Sequence, residues 1–209
     1  LKRMDFLIEA FKSTDADIEL RIAGTGGQEE KLKKLAAKDS RIRFLGFVTD
    51  SELLQQYAGA LFVPFIPYDE DYGLITVEAM QSSKAVLTTI DSGGVNELVE
   101  DGHNGRAILP DVEAIANALK MLISNPERTI QMGLNAKESV SHINWPNMVF
   151  GLLREDGSHG PSIKARRKKI VGTTTFQVYP PTGGGQKRIY HLYRELGHRA
   201  DVVLVTLSD

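Results

Sequence analysis

The sequence predicts an α/β protein built on a Rossmann-like, doubly wound parallel sheet. Short apolar segments rich in β-branched residues, typical of buried strands, alternate with longer segments of helical periodicity. Glycines follow several of the predicted strands, at the points where a strand passes into a helix. Such alternation favours parallel strands that are joined by helical crossovers. A partial second βαβ unit is expected near the carboxyl end of the chain.

Each element rests on a local signal. Met4, Leu7 and Phe11 recur at helical spacing, and Thr49 with Glu52 three residues later forms a capping box. Strands are predicted at 18–23, 42–45, 60–64, 85–89 and 106–109, and helices at 3–13, 28–38, 49–57, 74–81, 96–99, 111–124, from 126 onward and around 145–153.

Composition limits the kinds of site that this chain can form. Its 209 residues are 42% hydrophobic, enough for a domain that buries about 70% of its unfolded surface. The absence of cysteine excludes disulfides and thiolate metal sites. No apolar run approaches the roughly 18 residues of a membrane helix, and no signal peptide is visible. We expect a cytoplasmic protein. If the chain belongs to a longer parent protein, peripheral contact of that parent with a membrane is left open.

Charge is distributed unevenly and indicates a domain boundary. Residues 1–150 hold 15 basic and 22 acidic side chains, a balance of −7, whereas residues 151–209 hold 10 and 5, a balance of +5. We predict domains at 1–153 and 170–209, with a linker at 154–169. The basic run 166–169 has the composition of a nucleic-acid patch or a targeting signal, but a solvated linker end is favoured. No nucleic-acid partner is expected.

The stretch from Pro67 to Glu78 carries the main functional signal. The apolar strand at 60–64 leads into it, and Gly73 precedes a predicted helix. In open α/β sheets, ligands bind where strands end and helices begin. A helix start offers unpaired backbone N–H groups that suit phosphate. Two carboxylates, Glu70 and Glu78, lie on either side of this start.

The pattern Glu70-Asp-Tyr-Gly-Leu-Ile-Thr-Val-Glu78 resembles the signature of family-4 retaining glycosyltransferases of the GT-B fold. The Glu-Ala-Met at 78–80 and the Gly-Gly-x-x-Glu at 93–97 strengthen the resemblance. It covers roughly residues 2–153 and corresponds to the carboxyl-terminal, donor-binding domain of such enzymes. The first strand of that domain, and an Arg that normally precedes the Lys matched by Lys2, are missing from this sequence. We therefore expect the isolated chain to be inactive.

The resemblance implies a role for each matched position. Glu70 is the implied catalytic residue beside the donor sugar, and Glu78 is expected to hold the ribose hydroxyls. Lys2 and the backbone amides at 72–75 are expected to face the diphosphate. Asp50 either reads a base edge or is only a first-turn acid. The full donor-binding set is Lys2, Gly24, Val48, Asp50, Tyr72, Gly73, Leu74, Ile75 and Glu78.

Three other segments are similar to known binding motifs but depart from them. Gly24-Thr-Gly26 lacks the third glycine of a dinucleotide fingerprint, because Glu29 stands there. The Gly-rich run at 183–187 lacks the Gly-Lys-Ser/Thr order of a P-loop. Asp69-Glu-Asp71 is similar to the metal-binding Asp-x-Asp of a different glycosyltransferase fold, but it lies inside the other signature. We expect neither a metal ion nor a cofactor.

The end of the chain begins a new βαβ pattern. A strand is predicted at 170–176, a loop at 180–185, a helix at 186–196 and a strand at 201–207. This resembles the opening of the amino-terminal domain of a second glycosyltransferase, which implies a tandem parent enzyme. Parallel pairing of 170–176 with 202–206 is predicted. A second hypothesis inserts 170–176 beside 18–23, in the slot of the missing first strand, and otherwise the core should open there.

The function implied is retaining transfer of a hexose from a nucleotide-diphosphate sugar to a glycan or lipid-linked acceptor, as in polysaccharide biosynthesis. The donor would be linked to GDP, UDP or ADP. The acceptor would lie mainly on an amino-terminal domain that is absent from this chain. The alternatives are a non-catalytic nucleotide-sugar binding module and a sugar-nucleotide epimerase of the same architecture.

Overall fold

The structure, a computed structural model, describes residues 2–153, 169–174, 178, 181, 184–198 and 200–206. The chain divides into two compact units, Leu1–Ser141 and His142–Asp209. The last helix of the predicted first domain therefore falls in the second unit. The predicted linker lies outside the described residues, except that Lys169 begins a strand.

The first unit alternates helices and strands as the sequence predicts. In chain order its elements are α1 Met4–Lys12, β1 Leu20–Ala23, α2 Glu29–Ala36, β2 Ile42–Gly46, α3 Asp50–Gly59, β3 Phe62–Pro64, α4 Leu74–Gln81, β4 Ala85–Thr89, the 3₁₀ helix Gly94–Glu97, β5 Gly105–Ile108, α5 Val112–Ser124 and α6 Pro126–Ser139. Every strand pairing is parallel, as expected for helical crossovers. The predicted α/β, Rossmann-like class is confirmed.

Side-chain caps fix several helix starts. The Thr49 hydroxyl accepts from Glu52 N at 3.3 Å, and the Glu52 carboxylate accepts from Thr49 N at 2.7 Å, so the predicted capping box is present. Asp111 accepts from Ala114 N at 2.8 Å at the start of α5, as predicted. Each such cap contributes about 1 kcal/mol.

The strands of the first unit form two sheets rather than one. β1 pairs with β2, and β3, β4 and β5 pair in that order. Among the described strands neither β1 nor β3 has a partner on its other edge. The break lies where the sequence predicts a missing central strand. The core opens there into a cleft that is lined by both β1 and β3.

The core of the first unit lies between the strands and the helices α1 and α5. Leu7, Ile8 and Phe11 of α1 are buried against Leu87 of β4 and Leu119 of α5. Burying one such side chain fully is worth about 1.5–3 kcal/mol. The amphipathic α1 predicted from its apolar spacing therefore anchors the opening segment of the chain, including Lys2 and Arg3.

The second unit contains α7 Trp145–Leu153, β6 Lys169–Thr174, α8 Gly184–Gly197 and β7 Asp201–Thr206. The predicted parallel pairing is confirmed, with Ile170 opposite Val202. Within this unit the ring of Trp145 stacks on that of His191, with centroids 5.9 Å apart. Gly184 and Gly185, predicted as loop, belong to the first turn of α8, which therefore begins two residues before the predicted start at 186.

The hypothesis that 170–176 inserts beside 18–23 is wrong. β6 pairs with β7 alone among the described strands, and it belongs to the second compact unit. Only one helix separates β6 from β7 in sequence, so pairing these two strands closes a short loop at low entropic cost. Pairing β6 beside β1 would require closure of a much longer loop. Residues 175–177 lie outside the described residues.

Candidate functional site

The start of α4 depends on glycine at position 73. Gly73 caps the helix with φ 65° and ψ 63°, a left-handed conformation that favours glycine. A Cβ added there would lie 2.7 Å from Val95 Cγ2 and 3.1 Å from Phe65 Cε1. Glycine is therefore required both by the backbone angle and by the space. Gly73 therefore fixes the start of α4, the first helix that follows β3 in the chain.

The loop that carries Glu70 is attached to the segment after β4, residues 90–94, which we call the β4 loop. Glu70 N donates to Ser92 O at 3.2 Å, and Gly94 N donates to Glu70 O at 2.8 Å. The buried Ser92 hydroxyl donates to Pro67 O at 2.9 Å. These bonds fix the backbone of Glu70, and its side chain stays partly exposed.

Lys2 and Glu70 meet although 68 positions separate them in sequence. Nζ of Lys2 lies 2.6 Å from Oε2 of Glu70 and 4.8 Å from the centre of the Phe65 ring. The side chains of Lys2 and Glu70 are 53% and 31% exposed. An ion pair so exposed is worth about 0–1 kcal/mol, so Lys2 can exchange Glu70 for another anion at little cost.

Glu78 projects from α4 and is held by Tyr57 of α3. The Tyr57 hydroxyl donates to Glu78 Oε2 at 3.0 Å. Burial of the ring, followed by the charge of Glu78 and this hydrogen bond, raises the pKa of the Tyr57 phenol. The phenol therefore stays neutral and donates one hydrogen bond to a carboxylate that otherwise faces solvent.

A cleft of about 1620 Å³ brings many of the predicted site residues together. Lys2, Gly24, Val48, Ile75 and Glu78 all line it. Glu70 is not among the lining residues but reaches the cleft through its contact with Lys2. The remaining predicted residues, which do not line the cleft, are Asp50, Tyr72, Gly73 and Leu74.

The turn after β1 and the end of β2 form the far side of the cleft. Gly24, with φ 112°, donates its N–H to Gly46 O at 2.7 Å. Phe47, directly before Val48, is 80% exposed and lines the cleft. Asp50 is the first residue of α3 and lies outside the lining. Its position fits the first-turn acid better than the base-reading residue, the two roles left open by the sequence.

The family model described as "Glycosyl transferases group 1" matches residues 1–139 of this sequence. The chain belongs to the group 1 glycosyl transferases. Its mixed α/β fold with parallel strands is that of GT-B glycosyltransferases, which confirms the resemblance stated above. This family match defines a group of glycosyltransferases; the retaining mechanism, the sugar and the acceptor are considered under the proposed function.

Three similar proteins illustrate this relationship. An uncharacterized glycosyltransferase of Methanocaldococcus jannaschii is 30% identical over 156 residues, which are 73% of this chain and 44% of that protein. HepE of Anabaena, solved in complex with UDP and glucose, is 26% identical with a TM-score of 0.59 over 68% of this chain and 41% of HepE. The carboxyl-terminal domain of LpcC, a glycosyl transferase group 1 family protein of Francisella tularensis, is 28% identical with a TM-score of 0.57 over 68% of this chain and 79% of that domain.

This group 1 glycosyl transferase chain spans less than half of the length of the M. jannaschii relative and of HepE. It spans most of the isolated LpcC domain. Within the described residues, no helix has the length and hydropathy to cross a membrane. No group of three or more His, Asp or Glu side chains suited to a metal ion occurs in that part of the chain.

Sequence reasoning missed three residues that support the site, namely Tyr57, Arg3 and Asp91. Tyr57 was predicted only as the end of a helix, and nothing in its local pattern indicates a partner 21 positions away. Arg3 lies beside Lys2 and matches no motif of its own. Asp91 gives no local signal beyond its position two residues after a buried strand, where functional loops of α/β sheets begin.

Proposed function

We propose that this chain is the donor-binding domain of a retaining glycosyltransferase that takes a hexose from a nucleotide-diphosphate sugar. The observation that supports it best is the contact of Lys2 with Glu70 at the cleft, with Glu78 in the lining of the same cleft. Lys2, a cation suited to a diphosphate, thus contacts one of the two carboxylates of the signature and lines the same cleft as the other. A buried pair of structural acids would show neither this exposure nor this arrangement.

Each group has a role that follows from its chemistry. Lys2 and the backbone amides at 72–75 would bind the diphosphate at the start of α4, where the positive end of the helix dipole favours negative charge. Glu78 would accept hydrogen bonds from the two ribose hydroxyls. Tyr57 fixes the carboxylate that does so. Losing one preorganised donor to a developing anion typically lowers a rate about 10²–10³-fold.

Glu70 would act on the sugar rather than on the nucleotide. As the glycosidic bond breaks, the departing nucleotide diphosphate gains negative charge and the sugar ring gains positive charge. A carboxylate about 5 Å from that ring stabilises it by roughly 3 kcal/mol at an effective dielectric of about 20. The backbone bonds from Glu70 to the β4 loop hold the carboxylate in place for this purpose.

UDP is the donor nucleotide that we favour, because HepE was solved with UDP and glucose. Val48 and the exposed Phe47 lie in the cleft at the end of β2, where an apolar surface suits the face of a base. The acceptor, a glycan or a lipid-linked glycan, would bind mainly on a further domain. The limited span of this chain along its relatives agrees with such a division.

Calorimetric titration of the chain with UDP, GDP and ADP tests the proposal. We expect one nucleotide, UDP, to bind with an affinity that Glu78→Ala lowers, and we expect EDTA to leave that affinity unchanged. Absence of binding by all three would contradict the proposal. Hydrolysis or epimerisation of UDP-glucose in the absence of acceptor would instead support the epimerase alternative.

A further inference from the structure

Arg3 holds a backbone conformation that is unfavourable for its residue type. It caps α1 with φ 47° and ψ 38°, in the left-handed region that costs energy for residues other than glycine. Its guanidinium compensates by donating from Nη1 and Nη2 to the two carboxylate oxygens of Asp91, at 2.8 and 2.6 Å. Its Cζ also lies 5.1 Å from the centre of the Tyr68 ring. A bidentate pair of this kind fixes orientation as well as distance.

Asp91 belongs to the β4 loop, the same segment that holds Glu70. Asp91 O accepts from Asp69 N at 3.0 Å, and Ser92 O accepts from Glu70 N at 3.2 Å. The β4 loop therefore binds two parts of the site. Its backbone binds the backbone of Glu70, and its Asp91 side chain binds Arg3, the residue next to Lys2. The relative position of Lys2 and Glu70 is set by a common frame rather than by their own contact.

That frame is needed because the Lys2–Glu70 contact is weak. An exposed ion pair does not restrain a long lysine side chain by itself. Arg3, in contrast, is only 16% exposed and donates to both carboxylate oxygens of Asp91. We propose that Arg3 and Asp91 are positioning residues, which orient Lys2 toward Glu70 and toward the diphosphate of the donor. This inference deepens the proposed function, in which Lys2 binds that diphosphate.

Zero-length cross-linking tests the positioning without any ligand. A carbodiimide joins an amine to a carboxylate in direct contact, so Lys2 and Glu70 should form an amide that peptide mass spectrometry detects as the loss of one water. The pair Lys33–Glu29 on α2, with Nζ and Oε1 2.8 Å apart, is an internal control that shares no residue with the Arg3–Asp91 pair. Its cross-link yield should be the same in every variant.

Two variants remove the Arg3–Asp91 pair in different ways. Arg3→Gly keeps the left-handed backbone without strain, and Asp91→Asn keeps the side-chain size but removes the charge. In both we expect the Lys2–Glu70 yield to fall about fivefold, because charge-assisted hydrogen bonds no longer hold the turn. An unchanged yield in both variants, with the Lys33–Glu29 control constant, would overturn the inference.

Binding measurements then separate positioning from general stability. Arg3→Gly should weaken UDP about tenfold but leave uridine affinity unchanged, since uridine lacks the diphosphate that Lys2 binds. In a Lys2→Ala background, Arg3→Gly should have no further effect on UDP. Fully additive effects, or equal losses for UDP and uridine, would refute positioning through Lys2. Normal cross-linking without UDP binding by the unmodified chain would count against the proposed function alone.

Discussion

The Tyr57 hydroxyl donates a hydrogen bond of 3.0 Å to Oε2 of Glu78, and so connects α3 to α4 at the cleft. Tyr57 is buried, whereas Glu78 is exposed on α4. The tyrosine therefore supplies a fixed donor to a carboxylate that is otherwise free to choose among rotamers. The ribose-binding role that we propose for Glu78 gains from such a restraint, because less side-chain entropy is lost when the ligand binds.

Tyr57→Phe should weaken nucleotide binding by about threefold to tenfold, because the hydrogen bond that orients Glu78 contributes about 0.5–1.5 kcal/mol net. The loss should be confined to the ribose contact. We therefore expect the affinity ratio of UDP to its 2′,3′-dideoxy analogue to decrease in the variant, as measured by calorimetry. Equal losses for both ligands would show that Tyr57 supports the fold rather than Glu78.

Glu78→Ala should reduce UDP affinity more than Glu70→Ala does. Glu78 is expected to bind the ribose of free nucleotide and of donor alike, and hydrogen bonds to a charged group are worth about 1.5–3 kcal/mol. Glu70 is expected to act on the sugar only, and its removal also frees Lys2 from the ion pair. Titration of both variants with UDP measures the difference. Equal affinities for the two variants would contradict the assignment.

The 209-residue chain alone should bind UDP-glucose without appreciable transfer. It spans 41% of HepE, and the expected acceptor site lies on a further domain. Incubation with radiolabelled UDP-glucose and candidate lipid-linked acceptors measures transfer. Turnover at the rate of ordinary enzymes, with a median near 10 s⁻¹, would be incompatible with this expectation.

The helices and strands follow from the sequence because their signals are local. The capping residues Thr49 and Asp111 and the apolar spacing of α1 each act within one or two turns, and the structure contains all three features. The contacts that assemble the site are not local. Tyr57 and Glu78 are 21 positions apart in sequence, and Lys2 and Glu70 are 68 apart. At such separations the periodicity of the sequence does not indicate which residues are in contact.

The error about β6 has the same physical origin. Its β-branched composition fits any buried slot, so composition alone could not choose between a partner 32 positions away and a slot far along the chain. Chain entropy decides in favour of β7. The left-handed backbone of Arg3 could not be predicted from the sequence either. It is stabilised by Asp91, which is distant in sequence, and no local pattern indicates that contact.

The Arg3–Asp91 pair should make stability depend on pH. Its hydrogen bonds with Arg3, outweighing the effect of burial, lower the pKa of Asp91 below its ordinary value. Stability from a lowered carboxyl pKa is present above the ordinary value, about 3.9, and is lost as pH falls through the folded-state value. Urea unfolding from pH 7 to pH 2 should therefore show the unmodified chain converging on Asp91→Asn in acid. A difference independent of pH would exclude this coupling.

Gly93→Ala should destabilise the fold and displace the backbone of Glu70. At Gly93 the φ of 67° and ψ of −134° lie in a region that is nearly restricted to glycine. A Cβ there would also lie 2.6 Å from Glu70 O and 2.8 Å from Glu70 N, where no flexible side chain can yield. The strain should cost about 1–3 kcal/mol of unfolding free energy, because the backbone of Glu70 or of Gly93 must move.

Gly27→Ala is the matched control for Gly93→Ala. Its added Cβ would meet no atom within 4 Å, so its effect should stay within about 0.5 kcal/mol. Urea unfolding measures both free energies, and hydrogen exchange at the Glu70 amide, which donates to Ser92 O, reports the local displacement. Exchange should accelerate in Gly93→Ala and stay unchanged in Gly27→Ala. Equal stability of the two variants, with equal protection of the Glu70 amide, would show that the β4 loop does not hold the backbone of Glu70.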